Sequence, residues 1–456
     1  MSVRSSLLIV SLFATGGNDG RHPRMAHTPS AAMVPAPDVR ELLGAARGVA
    51  PALCVLAADG IWTVGRWGGG MWDAPAMSIG SEVRSRVREM LRARYSVDDE
   101  RSLLDGLSAD DACVRHIAAT LIGRSEDKRF VEQLAARLTA SSPGERQAAA
   151  AALGLLNAKE GVDPLLAALR DVSADVRADA AWALGRIGDK RAARTLVASV
   201  RDDHPEVRGA AVVALGRLEA KEEIDVLMRV LREDSSPEVR RVAAWALGQL
   251  EARPAIQGLA AALRQDRSAE VREMTAWALG SIEARESVEA LTAALKGDES
   301  SDVRETAAWA LGQLNSQNSV DALADAIARD RESDVRATSA WALGQIHLEK
   351  APGALVSALK DSDDEVRLKA AWALSQIGDA DALPAVTEAL KSEQRERVRQ
   401  ALVRALLESG EHSQEALSGL LQSKDEQTRK LAVRALAGRR GPWPWPWPWP
   451  RPRPNP

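Results

Sequence analysis

Apolar positions along most of this chain fall at the spacing of one face of an α-helix. They form two stripes separated by a short polar break, and the pair of stripes recurs at a fixed period. The register mark is an arginine, preceded by valine in most units, at Arg84, Arg115, Arg146, Arg177, Arg208, Arg240, Arg272, Arg304, Arg336, Arg367, Arg399 and Arg429. Successive steps are 31, 31, 31, 31, 32, 32, 32, 32, 31, 32 and 30 residues. A period this regular is the mark of a repeat array.

The unit running from Ser301 to Leu314 shows what each repeat does. Ser or Asp at its start suits a helix N-cap, and Val303, Ala307, Ala310, Leu311 and Leu314 form one apolar stripe. A second amphipathic helix follows from Val320 to Ala328, with Leu323, Ala324 and Ile327 on its apolar face. A hairpin of two such helices cannot bury its stripe alone, so stacking on its neighbours has to complete the core. Alanine-rich stripes suit close helix approach. The expected fold is therefore all-α, a solenoid of helical hairpins.

Six tryptophans occupy one register position, five residues after the arginine: Trp182, Trp245, Trp277, Trp309, Trp341 and Trp372, with Val213 as the interruption. At roughly 100° per residue, the buried stripe counted from Val303 centres near about 40° and Trp309 lies near about 240°. On that wheel the tryptophans stand almost opposite the core of their own hairpin. One turn further along the same face come Arg186, Gln249, Ser281, Gln313, Gln345 and Gln376. Toward the ends the Trp position becomes Thr120, Ala151, Arg404 and Arg434. The column reads either as packing that seals an alanine-rich interior or as an open apolar patch of the kind that marks an interaction site.

Composition sharpens the second possibility, because thirteen of the sixteen aromatic residues are Trp, against one Tyr and two Phe. Charge adds little: 60 basic and 64 acidic residues give a net −4, with no global drive toward nucleic acid or an anionic membrane. Two cysteines, Cys54 and Cys113, allow no disulfide framework or thiolate metal cluster and read as residues of helix packing.

The motif D/E-V-R-x-x-A-A-x-A-L-G followed by a second amphipathic helix resembles the HEAT repeat, specifically the short E–Z type of phycobilin lyase subunits. The resemblance covers roughly residues 99–437. It implies a right-handed superhelical α-solenoid of about eleven to twelve HEAT-type hairpins, with the Val-Arg helix on the inner side. It also implies an internal arginine–acid ladder between units, for which Asp175/Arg177, Asp302/Arg304 and Asp334/Arg336 are candidates. The tryptophans would then line the concave groove as a Trp/Gln ladder. That arrangement resembles armadillo proteins, in which amides hold an extended peptide backbone and indoles form side-chain slots. The expected binding residues are Trp182, Trp245, Gln249, Trp277, Glu273, Glu305, Trp309, Gln313, Trp341, Gln345, Trp372 and Gln376, with Glu273 and Glu305 as the acidic members of the slots.

Chemistry finds little purchase. The histidines His22, His27, His116, His204, His347 and His412 are scattered, and the His-Glu pairs that hold iron in the HEAT-repeat enzyme deoxyhypusine hydroxylase do not occur. Zincin, phosphate-loop, dinucleotide and nucleophile-elbow motifs are absent from the sequence. The expectation is a non-catalytic scaffold that needs no cofactor and binds a protein or extended peptide, with no nucleic acid. The alternatives are a lyase-like subunit handling a ligand or chromophore, and a structural or regulatory arm.

Around the array, residues 1–36 read as a leader and residues 37–97 as a degenerate capping unit. The cap carries a Gly/Trp-rich insertion from Gly60 to Gly80. Residues 98–437 read as the solenoid, closed by Gly438, and residues 438–456 as a Pro/Trp-rich tail of extended chain. The apolar run Leu7–Ala14 meets the minimum for a secretory signal and is too short to span a bilayer as a helix, so cytoplasmic and exported locations both stay open.

Overall fold

The computed structural model describes residues 39–47, 97–125, 127–408 and 418–422, with 426, 429–430 and 432–433. The leader 1–36, the Gly/Trp insertion, the Arg84 helix, Gly438 and the Pro/Trp tail lie outside the described residues. A short helix α1 (Val39–Ala45) is followed by ten hairpins. They are α2–α3 (Val97–Leu107, Ala112–Arg124), α4–α5 (Phe130–Arg137, Pro143–Leu155) and α6–α7 (Val162–Ala168, Ala174–Ile187). Next come α8–α9 (Ala193–Ser199, Pro205–Arg217), α10–α11 (Ile224–Glu233, Pro237–Gln249) and α12–α13 (Ile256–Gln265, Ala269–Ser281). The last four are α14–α15 (Val288–Gly297, Ser301–Gln313), α16–α17 (Val320–Arg329, Ser333–Gln345), α18–α19 (Gly353–Ser357, Asp364–Ile377) and α20–α21 (Leu383–Ser392, Glu396–Glu408).

Successive hairpins are joined by local chemistry. Most of the Val-Arg helices end in a left-handed residue, glycine at Gly188 and Gly378 (φ 74° and 71°) and Asn or Glu at positions such as Asn157 and Glu251 (φ 53° and 50°). At Glu251 the next amide, Ala252 N–H, reaches back to the Leu247 carbonyl at 3.0 Å, satisfying an end-of-helix acceptor. The chain is then aimed into the following partner helix.

The expected stripe is the core. Val303, Ala307, Ala310, Leu311 and Leu314 are buried, as are Leu323 and Ile327 on the following partner helix. The two rows of the stack pack differently. Successive Val-Arg helices lie against one another along their length, whereas successive partner helices touch lightly. The close row is made possible by small residues: a Cβ on Gly185 would come within 2.6 Å of the Ala214 Cα in the next Val-Arg helix. A stack tighter on one row curves toward that row, which puts the Val-Arg helices on the inner side.

A chain of ion pairs threads the array. Arg272 Nε and Nη2 donate to the two carboxylate oxygens of Asp298 at 2.7 and 2.8 Å, a bidentate pair 26 residues apart. Its Nη1 donates to the carbonyl of Asp266 at 2.9 Å, and the carboxylate of Asp266 in turn holds Arg240. Each acid therefore accepts the previous unit's arginine with its side chain and its own unit's arginine with its backbone. Asp298 Oδ1 also accepts the Ser300 N–H at 3.0 Å, turning the chain into the next Val-Arg helix. Eight such pairs run from Arg146–Asp171 to Arg367–Glu393. The ladder is real, but its partners are not the acids two residues before each arginine. The rungs use the acid at the end of the next partner helix.

Burial on its own would raise the pKa of Asp266. The Arg240 hydrogen bond, the Ser268 N–H and the charges of Arg240 and Arg272 outweigh it and hold the carboxyl below its ordinary value. Asp171, Asp202, Asp330, Asp361 and Glu393 are lowered in the same way. A carboxylate depressed in the folded state adds stability that is present above its unfolded pKa and is lost as pH falls through the folded value. The melting temperature should therefore drop steeply below about pH 4, near the unfolded carboxylate pKa, as several rungs protonate together. A melting temperature unchanged on acidification to about pH 3, where most ordinary carboxylates are protonated, would contradict this role for the rungs.

Candidate functional site

The tryptophan column is packed rather than open. Trp182, Trp245, Trp277, Trp341 and Trp372 are 5–8% exposed, and only Trp309 is half-buried. Each indole lies on the glycine that ends the W-A-L-G or A-L-G motif of the preceding unit. A Cβ on Gly248 would fall 2.7 Å from Cζ3 of Trp277, and one on Gly344 would fall 2.6 Å from Cζ3 of Trp372. Gly154, Gly216, Gly280 and Gly312 seat Trp182, Trp245, Trp309 and Trp341 in the same way. The expected row of open indole slots is thus corrected. The helical wheel placed Trp opposite its own partner helix correctly, but a Val-Arg helix is also covered by the Val-Arg helix before it and the one after. At Trp341 and Trp372 the indole N–H is enclosed without an acceptor among the described residues, so these side chains act there as apolar filler.

What the inner row leaves open is the position four residues on. Arg186, Arg217, Gln249, Gln313 and Gln376 are exposed, and Ser281 and Gln345 are half-buried. Continuing the register through the interruptions at Val213 and Thr120 adds Arg217 and Arg124, which the Trp positions alone did not reveal. Arg186 is held firmly: its Nε donates to the Gly154 carbonyl at 3.1 Å and its guanidinium lies 5.8 Å from the Trp182 ring centroid. The expected acidic members are placed deeper. Glu305 is buried and accepts from the Thr338 hydroxyl at 3.4 Å, and Glu273 is half-buried, its charge supporting Arg241 on the preceding Val-Arg helix.

Several titratable groups lie within this row. Burial pushes Asp179 up to about 7, against a hydrogen bond from Gln147 that favours its charged form. Burial lowers His116 to about 4 and Lys369 to about 8. They sit on different hairpins and do not form one constellation. Among the described residues no group of His, Cys, Asp and Glu is arranged to hold a metal ion. Cys113 on α3 is buried, but as a disulfide-bonded residue rather than a packed thiol. No helix among the described residues is long and apolar enough to cross a membrane.

A stack of helical hairpins in which each unit bonds only to its neighbours, with one row of polar side chains left open, defines an α-solenoid repeat scaffold. The family described as HEAT repeats matches residues 100–171, 162–248, 256–344 and 320–407, and that described as PBS lyase HEAT-like repeat matches residues 239–265. The chain belongs to the HEAT-repeat family.

Among solved structures it is similar to a chain from the structure of Kap95p bound to RanGDP, at 13% identity and a TM-score of 0.56, over 87% of this chain and 66% of that one. That likeness is one of fold. An engineered protein is 23% identical with a TM-score of 0.42, over 67% of this chain and 98% of that chain. The complex of CpcE and CpcF of phycocyanin lyase from Nostoc sp. PCC7120 gives 24% identity and a TM-score of 0.33, over 49% of this chain and 91% of that one. Comparison with curated proteins gives no match.

The glycine seats make a prediction whose sign is informative. Alanine is ordinarily the better helix residue, so Gly258→Ala, which meets nothing within 4 Å, should stabilise the protein by about 0.5–1 kcal/mol. Gly248→Ala faces Trp277 and the Ala278 Cα, and overpacking should destabilise it by about 1–3 kcal/mol. Parallel urea or thermal melts decide it, and equal shifts for the two variants would mean that the indole does not rest on the glycine.

Proposed function

We infer that this protein is a non-catalytic scaffold that binds a protein partner, as an extended segment laid along the inner row of Val-Arg helices. The observation that carries this reading is the line of polar side chains, exposed or half-buried, that the inner row presents from Arg186 to Gln376. Gln249, Gln313, Gln345 and Gln376 repeat at the pitch of the stack, and an amide offers both a donor and an acceptor to a peptide backbone. The tryptophans contribute from beneath: Trp245, Trp277, Trp309, Trp341 and Trp372 seat neighbouring units and so fix the spacing of the amides. Glu273 and Glu305 set the charge of the floor rather than meeting a ligand first. The described helices are packed into one continuous core, so little ordering entropy opposes binding on this side.

The test is affinity capture from native extract with the full chain and with a Gln249→Ala, Gln313→Ala, Gln345→Ala, Gln376→Ala variant. Melting of the two is compared first, and it should be nearly unchanged because these side chains are not core residues. A protein retained by the wild type and lost by the variant is the expected outcome. The same proteins retained by both would move the binding surface off this row.

A further inference from the structure

The open row is not uniform in charge. Its amide members begin at Gln249, whereas the positions before them hold Arg186 and Arg217, with Arg124 two hairpins ahead of Arg186. Every rung arginine from Arg146 to Arg367 has a carboxylate within 2.8 Å. Arg186 has instead a carbonyl and an indole face, and Arg217 forms no ion pair among the described residues. Both side chains reach solvent, yet partial burial lowers the pKa of both guanidiniums, and like charge lowers them further, Arg124 acting on Arg186 and Arg186 acting on Arg217. Arg186 and Arg217 are thus neighbouring cations on the open row that form no ion pair among the described residues, which is what a site for an external anion looks like before it is filled.

We propose that Arg186 and Arg217, flanked by Arg124, form a docking site for an acidic, extended segment of the partner polypeptide. This rests on the scaffold reading above and names the chemistry of the partner at one end of the row. Spacing supports it. Stacked helices stand about 8–10 Å apart, and a polyproline-II chain advances about 3.1 Å per residue with three residues per turn, so acids three residues apart share one face and would meet successive repeats. Arg186 is already oriented by Gly154 and Trp182, which reduces the ordering needed to bind a carboxylate bidentately. A nucleic acid fits less well. It needs a long cationic track, whereas this row turns neutral at Gln249, Glu273 and Glu305 lie on the following Val-Arg helices, and the whole chain carries −4.

The experiment uses the full chain and a short fluorescent peptide with glutamate at every third position. The same peptide with glutamine in those places is the control, and binding is read by anisotropy. The variant is Arg186→Gln with Arg217→Gln, which installs the residue that Gln249 and Gln313 already place in this row, so the fold is retained and is checked by melting. Wild type should bind the glutamate peptide at least about tenfold more tightly than the glutamine one, and the double variant should lose about tenfold. Added salt should weaken the interaction.

Equal binding by wild type and variant, no preference for glutamate, or tighter binding of a single-stranded oligonucleotide of similar length would overturn the proposal. If the peptide fails while capture still depends on the glutamine row, the arginine site falls and the scaffold reading stands. If the peptide binds through the arginines while capture does not depend on the glutamines, the reverse holds.

Discussion

Everything in this array depends on one reciprocal contact, the aspartate that accepts an arginine from the unit before and offers its carbonyl to the arginine of its own unit. Asp266 does this for Arg240 and Arg272, and Asp298 does it for Arg272 and Arg304. Burying such charges helps only when both partners are satisfied, and here the guanidinium and the carboxylate meet in bidentate geometry. A hairpin shifted along its neighbour would leave both charges buried and unpaired. The ladder therefore sets the relative register of the units, while the apolar stripes supply the drive to stack.

The second constraint is close approach. Gly185 against Ala214, and Gly248 under Trp277, bring the Val-Arg helices together on one row of the stack. Tryptophan fills what the small residues leave, and in the Val213 unit Ala214 comes close to Gly185 instead. Because the indoles face the preceding helix, the side chains one turn on are the ones raised to solvent. A row of arginines and amides at constant pitch is thus a by-product of how the core is closed, available for recognition.

Much of this was legible in the sequence. The period of the arginines, the stripe from Val303 to Leu314 and the second helix from Val320 reappear as observed helices and core, although the Val-Arg helix packs on the partner helix before it rather than the one after. Two features were not legible for a shared reason: they lie between units, and a one-unit pattern cannot show them. The helical wheel of Trp309 omitted the preceding Val-Arg helix, and Asp302 was paired with Arg304 because it is adjacent, although Asp330 holds that arginine. The glycine of W-A-L-G carried the missing signal, since a glycine inside a helix asks what its absent Cβ would strike. Ser375 in place of that glycine precedes Arg404 in place of Trp, consistent with the two positions forming one contact.

The most direct test is a double-mutant cycle on Arg272 and Asp298, with Arg272→Ala, Asp298→Ala and both together measured by urea unfolding. If the pair locks neighbouring units, each single variant loses stability and the double variant loses less than their sum, by roughly 1–3 kcal/mol. Losses that add to within about 0.5 kcal/mol would show that the two residues stabilise the protein independently, and the ladder would not be what holds the register.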